Sequence, residues 1–394
     1  MVFRISSHDA IGAEDGLVMK LAMRLVCLAW IAASSLSAQE PRLQNTLVAG
    51  NKPIGCVAFS PDGTTLASGG IGGKVRLWNL ATGKIAAILP VPNDSVRLVA
   101  FSPDGALLAS SSLGVRPGTI TLWDLATNKE TASIQAENLS SLMAFSRSGK
   151  TLLWTDMNTS DFSESPGEPT TLCLWDIAAS KNRALFSVCT VNEFYRVGIP
   201  GMPKDPRVEL DIYIRFVCSL ALAPDGNIIA VGDNKGIVDI WDLLKGKLIA
   251  TFSHGSRLPA NSVAFSPDGK VLASASDKTV KIWDLTTRET IFDLSGHSAE
   301  VVSVAFSSDG KILASSGDEK TIRLWDVSRG KNVANLDAGT KAVNQVAFSA
   351  DGKTLASAGH DGTIKLWSMP TLDQGRKTGT GNGTSKAPVK TGKE

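Results

Sequence analysis

Residues 262–285 read SVAFSPDGKVLASASDKTVKIWDL, and close copies of this stretch recur along most of the chain. Val263 and Phe265 alternate with smaller residues until Pro267-Asp268-Gly269 interrupts, and Val271-Leu272-Ala273-Ser274 opens a second apolar run. Proline holds φ near the value that the second position of a turn requires, and glycine accepts the positive φ that closes a hairpin. Asp277-Lys278 breaks the next connection. Thr279 to Trp283 then reads as a third strand, with Val280 and Ile282 on one face and Thr279, Lys281 and Trp283 on the other. Three short strands cannot bury an apolar face alone, so the unit requires neighbours of its own kind.

Those neighbours are present. The turn glycine recurs at Gly63, Gly105, Gly149, Gly226, Gly269, Gly310 and Gly352, and the third-strand tryptophan at Trp78, Trp123, Trp175, Trp241, Trp283, Trp325 and Trp367. The last four tryptophans stand 42 residues apart. Aspartate follows the tryptophan at Asp124, Asp176, Asp242, Asp284 and Asp326, while Asn79 and Ser368 take its place in the first and last repeats. This pattern resembles the WD-repeat (WD-40) family over about residues 43–370.

The resemblance implies an all-β chain forming a single seven-bladed β-propeller, with one four-stranded antiparallel blade per repeat around a central channel. Within a domain spanning 39–370, the blades are expected near residues 53–90, 95–135, 139–190, 214–253, 259–294, 299–336 and 342–370. Between Trp367 and the basic tail only Ser368 to Asp373 remains, too little for a well-formed outer strand, so residues 42–48 (RLQNTLV) are expected to complete blade seven and close the ring. Many family members bond a Gly-His histidine through Ser/Thr and Asp to the tryptophan. Gly296-His297 matches that step, with Ser315, Trp325 and either Asp318 or Glu319. His254 offers blade five a similar set with Ser274, Asp277 and Trp283, whereas blade seven has Asp361 and Trp367 but Gly339 in the histidine's place. Structural roles are therefore expected for the seven tryptophans, His297, Ser315, Asp277 and Asp361, with rigidity resting mainly on apolar packing.

The repeats also depart from themselves. From turn glycine to tryptophan, blades one, four, six and seven span 15 residues, blade two 18 and blade three 26. Trp175 to Gly226 is 51 residues against 26 to 28 elsewhere, with the excess near Thr190 to Tyr213. Inter-blade connections and second-to-third-strand loops emerge on one face of a propeller, so all three insertions rise over blades two to four. They carry Arg116, Asp161, Phe162, Glu164, Phe194, Tyr195, Arg196, Arg207 and Tyr213, including both tyrosines of the chain. Tyrosine and arginine are residue types that anchor protein interfaces, and these residues are the candidate partner contacts. The alternative is that the aromatics pin long loops to the blades. Trp154 replaces the second-strand serine of blade three and is expected to fill core space.

The chain ends differ in kind from the repeats. Residues 19–38 combine Lys20 and Arg24, a short apolar run and small residues, the composition of a secretory signal peptide. Cleavage after Ser35 or Ser37 fits the small-residue rule, and residues 1–18 read as an extension preceding a true start at Met19. The expected location is extracytoplasmic, as in a secreted or periplasmic bacterial-type family member, with a cytoplasmic chain as the alternative. Residues 371–394 lack the apolar content to fold and read as a disordered basic tail. Cys56, Cys173, Cys189 and Cys218 remain after export; pairing of Cys189 with Cys173 or with Cys218 and four unpaired thiols all stay open.

With a formal net charge of +2 on 394 residues, nothing in the balance argues for nucleic acid or an acidic membrane surface, and no nucleic-acid partner is expected. After export His254, His297 and His360 remain, each in a different repeat and without metal-ligand spacing, and no HExxH, CxxC, GxSxG or phosphate-binding loop occurs, so no cofactor or metal is expected. His360 is placed on the insertion face as a weak ligand candidate. The reading is a monomeric, non-catalytic scaffold for protein partners, with no stable membrane span. The alternative is an extracytoplasmic propeller enzyme or small-ligand binder at the channel mouth. Against it, strand one is expected to offer the channel mostly apolar or small residues.

Overall fold

The computed structural model describes residues 40–93, 95–113, 118–136, 139–156, 171–187 and 217–369. Across them every copy of the repeat becomes one four-stranded antiparallel sheet, giving a seven-bladed propeller. In blade five the strands are Ala260–Phe265, Val271–Ser276, Thr279–Asp284 and Thr290–Ser295, neighbouring one another in chain order. The innermost strands of the seven blades are Ile54–Phe59, Ser95–Phe101, Leu139–Phe145, Val217–Leu222, Ala260–Phe265, Val301–Phe306 and Val343–Phe348, and all seven line the channel.

Arg42–Val48 supplies the outer strand of blade seven, as expected. It pairs antiparallel with Thr363–Ser368, Leu43 opposite Trp367 and Val48 opposite Thr363. Leu47 anchors the seam at 2% exposure, among Ile54, Val57 and Ile364.

The core lies between blades. Val280, Ile282 and Leu294 of blade five pack with Val304, Leu313 and Trp325 of blade six. Trp283 likewise reaches back to Val238, Ile240 and Phe252 of blade four, its ring centroid 4.9 Å from that of Phe252. A tryptophan therefore clamps a joint, and truncating one to alanine removes roughly 3–5 kcal/mol of stability.

The recurring aspartates hold turns. Asp268 Oδ1 accepts from Ser266 Oγ at 2.6 Å, Ser266 Oγ accepts from Val271 N at 3.1 Å, and Gly269 takes φ +69° to close the hairpin. The same serine–aspartate contact recurs at Ser60–Asp62, Ser102–Asp104, Ser307–Asp309 and Ser349–Asp351. After the tryptophan, Asp284 Oδ1 accepts from Thr286 N and Thr287 N at 2.7 and 2.8 Å.

Candidate interaction site

Five blades share one polar fastening. The indole N–H donates to a second-strand serine from Trp78 to Ser68 (2.8 Å), Trp123 to Ser110 (2.9 Å), Trp283 to Ser274 (2.7 Å), Trp325 to Ser315 (2.8 Å) and Trp367 to Ser357 (3.0 Å). Rigidity thus rests on this bond as well as on packing.

Blade six extends the fastening. His297 Nε2 lies 2.6 Å from Ser315 Oγ and Nδ1 2.6 Å from Glu319 Oε1, so the acid is Glu319 and not Asp318. Burial lowers the His297 pKa, with Glu319 opposing, and the imidazole is neutral at pH 7. Donors and acceptors then run one way: indole N–H to Ser315, Ser315 hydroxyl to Nε2, and Nδ1–H to Glu319.

Blade five stops one step short. His254 Nε2 lies 2.7 Å from Ser274 Oγ, but its Nδ1 has no partner. The expected role of Asp277 is corrected here: it sits at φ +52° in a tight two-residue turn, and its carbonyl accepts from Val301 N. Asp361 bonds its own turn instead, accepting from Thr363 Oγ1 at 2.7 Å and Thr363 N at 3.0 Å.

Blades three and four lose the fastening altogether. Trp154 and Val231 stand where the acceptor serine would be, because each occupies the register position two residues after the second-strand leucine or isoleucine that faces the tryptophan. The indole nitrogens of Trp154, Trp175 and Trp241 are buried without a partner. Trp154 is 2% exposed and packs on Ile120, Leu122 and Ile134 of blade two, the expected core-filling role.

These are the blades that carry the two long insertions. All nine candidate contact residues, Arg116, Asp161, Phe162, Glu164, Phe194, Tyr195, Arg196, Arg207 and Tyr213, lie outside the described residues. The strand ends that bracket them are described: Leu113 and Gly118 in blade two, Asp156 and Thr171 in blade three, and Ser187 and Val217 between blades three and four. Strand direction puts all six ends at the same rim. Contacts elsewhere on that rim join the two loop types: Asn93, from an inter-blade connection, bonds Ser112 Oγ at 3.3 Å and Thr119 Oγ1 at 3.4 Å, and Ser256 meets Ser276 at 2.8 Å. His360 is exposed there as well.

The channel is lined mostly by apolar or small residues, as expected, but it also carries larger polar side chains. Its cavity, about 300 Å³, is lined by Arg97, Asn261, Asn344 and Gln345 along with Val302 and Cys218. The amides work between blades: Gln345 Oε1 accepts from Val57 N at 2.6 Å, Asn344 Nδ2 donates to Ile54 O at 2.7 Å, and Asn261 Nδ2 donates to Val301 O at 3.1 Å. Ser262 and Ser303 accept from Val304 N and Val346 N. Buried Cys56 continues this belt toward blade two through the backbone of Val99, its thiol pushed up to about 12 by burial. Leu98, at the same register in blade two, has no polar group to continue it. Arg97 is the only charged side chain among these lining residues. It was missed in the sequence, where it is legible as the one charge among the bulge positions Gly55, Arg97, Cys218, Asn261, Val302 and Asn344.

Among the described residues no three His, Cys, Asp or Glu side chains are grouped to hold a metal ion, and no helix is long and apolar enough to cross a membrane. Cys56 is a free thiol, and Cys189 lies outside the described residues.

Seven such sheets, joined by tryptophans and closed by an N-terminal strand, define the WD-repeat class of propellers. The family model described as "WD domain, G-beta repeat" matches residues 42–79, 83–124, 213–242, 246–284, 288–326 and 330–368, more than half of the chain, and the chain belongs to that family. The unmatched repeat is blade three, where Trp154 displaces the serine and the turn reads Ser146-Arg147-Ser148-Gly149. Small ribosomal subunit protein RACK1 of Medicago sativa is 35% identical over 79 residues, 20% of this chain and 24% of that protein. WD repeat-containing protein SL1-17 of Schistosoma mansoni is 32% identical over 156 residues, 39% of this chain and 50% of that protein. The guanine nucleotide-binding protein subunit beta of Schizosaccharomyces pombe is 39% identical over 70 residues, 18% of this chain and 23% of that protein. The chain thus spans between about a quarter and a half of the length of these relatives.

Proposed function

We propose that this chain is a non-catalytic, exported scaffold that binds protein partners through the face bearing the insertions of blades two to four. The observation that carries the reading is the coincidence of two departures. The tryptophan–serine fastening holds in five blades and is lost in blades three and four, and the connections of these same blades break the repeat length. Blades five to seven and one form a frame, and the diverged sector is where recognition is placed. Two relatives are named as components of larger assemblies, a ribosomal subunit and a G-protein, and none of the three is named for a reaction. The test replaces residues 192–206 by a short Gly-Ser loop and compares the proteins captured by the intact and altered chains. Unchanged capture defeats the insertion-face reading. Export is tested by sequencing the mature N-terminus: cleavage near residue 38 supports it, and an intact Met1 defeats it.

A second reading, a small anionic ligand at the channel mouth, is favoured by Arg97 in its cavity of about 300 Å³. Arg97→Gln abolishes binding of such a ligand and leaves partner capture by the insertions intact.

A further inference from the structure

On the face opposite the insertions, the hairpin turns that follow the innermost strands stack around the channel. The place where a β-carbon would stand on Gly105 is 3.6 Å from the Pro61 ring of the preceding blade, and Gly149, Gly269 and Gly310 meet Pro103, Pro224 and Pro267 at 3.4 to 3.6 Å. Gly352 meets Ser308 and Gly226 meets Arg147 in the same way. The stack breaks once. Blade seven has Ala350 at the proline position, the shortest residue of the seven, and Gly63 of blade one has nothing within 4 Å.

The break opens a groove along the seam between blades seven and one. The equivalent groove between blades one and two, with a floor of Leu77, Phe101 and Leu125, has a volume of about 310 Å³. The seam groove, with a floor of Leu366, Phe59 and Leu80, reaches about 620 Å³. Asp62 and Asp351 stand at its rim, no basic residue lines it, and Gln44 of the closing strand supplies the outer wall. Asp351 directs Oδ1 to Ser349 Oγ and Lys353 N, leaving its Oδ2 available to a ligand. An apolar floor between two carboxylates complements an alkyl stem that ends in a positive charge.

We propose that the seam groove is a second binding site, taking a lysine or arginine side chain from an extended segment of a partner protein, with a flanking apolar residue on Phe59 and Leu80. The site is independent of the insertion face. It exists because Ala350 leaves unfilled the space that proline fills at four of the other joints and arginine or serine at the remaining two.

The test uses the full chain and three immobilised pools of acetylated, amidated pentapeptides, randomised except for a central Arg, Lys or Glu. At low ionic strength the Arg and Lys pools are expected to retain the chain about five-fold more than the Glu pool. Ala350→Pro, which copies the turn of blades one, two, four and five, is expected to remove that preference at an unchanged melting temperature. The pair Asp62→Asn with Asp351→Asn keeps the Oδ1 acceptor of each turn, losing only the exposed Thr64 Oγ1 bond to Asp62 Oδ2, and is expected to remove it too, which covers the case in which the proline variant fails to fold. Asp104→Asn, at the narrow groove, is expected to leave it intact. Equal retention by all pools overturns the proposal, as does a folded Ala350→Pro chain or an Asn pair that keeps the preference.

Discussion

His297 Nδ1 stands 2.6 Å from the Glu319 carboxylate, whereas the same nitrogen of His254 one blade earlier is buried and unpartnered. The two blades share the serine and tryptophan and differ in the acid. Burial, with the Lys281 charge adding to it, lowers the His254 pKa from 6.5 to about 4. A folded-state value below the unfolded one means that the stability is fully present above pH 6.5 and is lost as pH falls toward 4. His254→Gln keeps a polar partner for Ser274 and cannot be protonated. Its unfolding free energy is expected to fall by about 2 kcal/mol less than that of the wild type between pH 7.5 and pH 5, measured by urea denaturation at both values.

The indole nitrogens give a second contrast. Trp325→Phe removes the donor to Ser315 and disturbs a four-member chain, while Trp241→Phe removes a buried donor that has no acceptor. Trp325→Phe is expected to destabilise by about 1 kcal/mol more than Trp241→Phe. Denaturant midpoints at equal m-values measure the difference.

The seam is the ring's one non-local closure. Leu47 is buried against Ile364 across it. Leu47→Ala is expected to cost about 2–4 kcal/mol, and a chain beginning at Ala49 to unfold or aggregate because the third strand of blade seven becomes an open edge. Circular dichroism melting and size-exclusion chromatography read both effects.

Cys56 is fully buried, with its thiol raised to about 12 by desolvation. It is expected to stay unlabelled by iodoacetamide in the native chain and to label on unfolding, as followed by peptide mass spectrometry.

The architecture was legible because its signals are local and repeated. SPDG-like turns and a third-strand tryptophan, 42 residues apart in the last four repeats, specify a blade, and the short stretch between Trp367 and the basic tail points to its closure by residues 42–48. What escaped depends on distance in space. Glu319 rather than Asp318 reaches His297, and no acid bonds His254 Nδ1, because one turn residue more or less changes which side chain meets the histidine. Arg97 is one polar residue in an apolar strand until seven strands bring it to a channel. Ala350 reads as a harmless variant of proline until Gly63 of the first blade is seen across the seam.

The insertion face is tested most directly by hydrogen exchange on the intact chain, alone and with a protein that it captures. Slowed exchange is expected at the strand ends near Leu113, Asp156, Thr171 and Val217 and in the connections between them. Protection confined to blades five to seven, or to the SPDG turns of the opposite face, would refute the assignment.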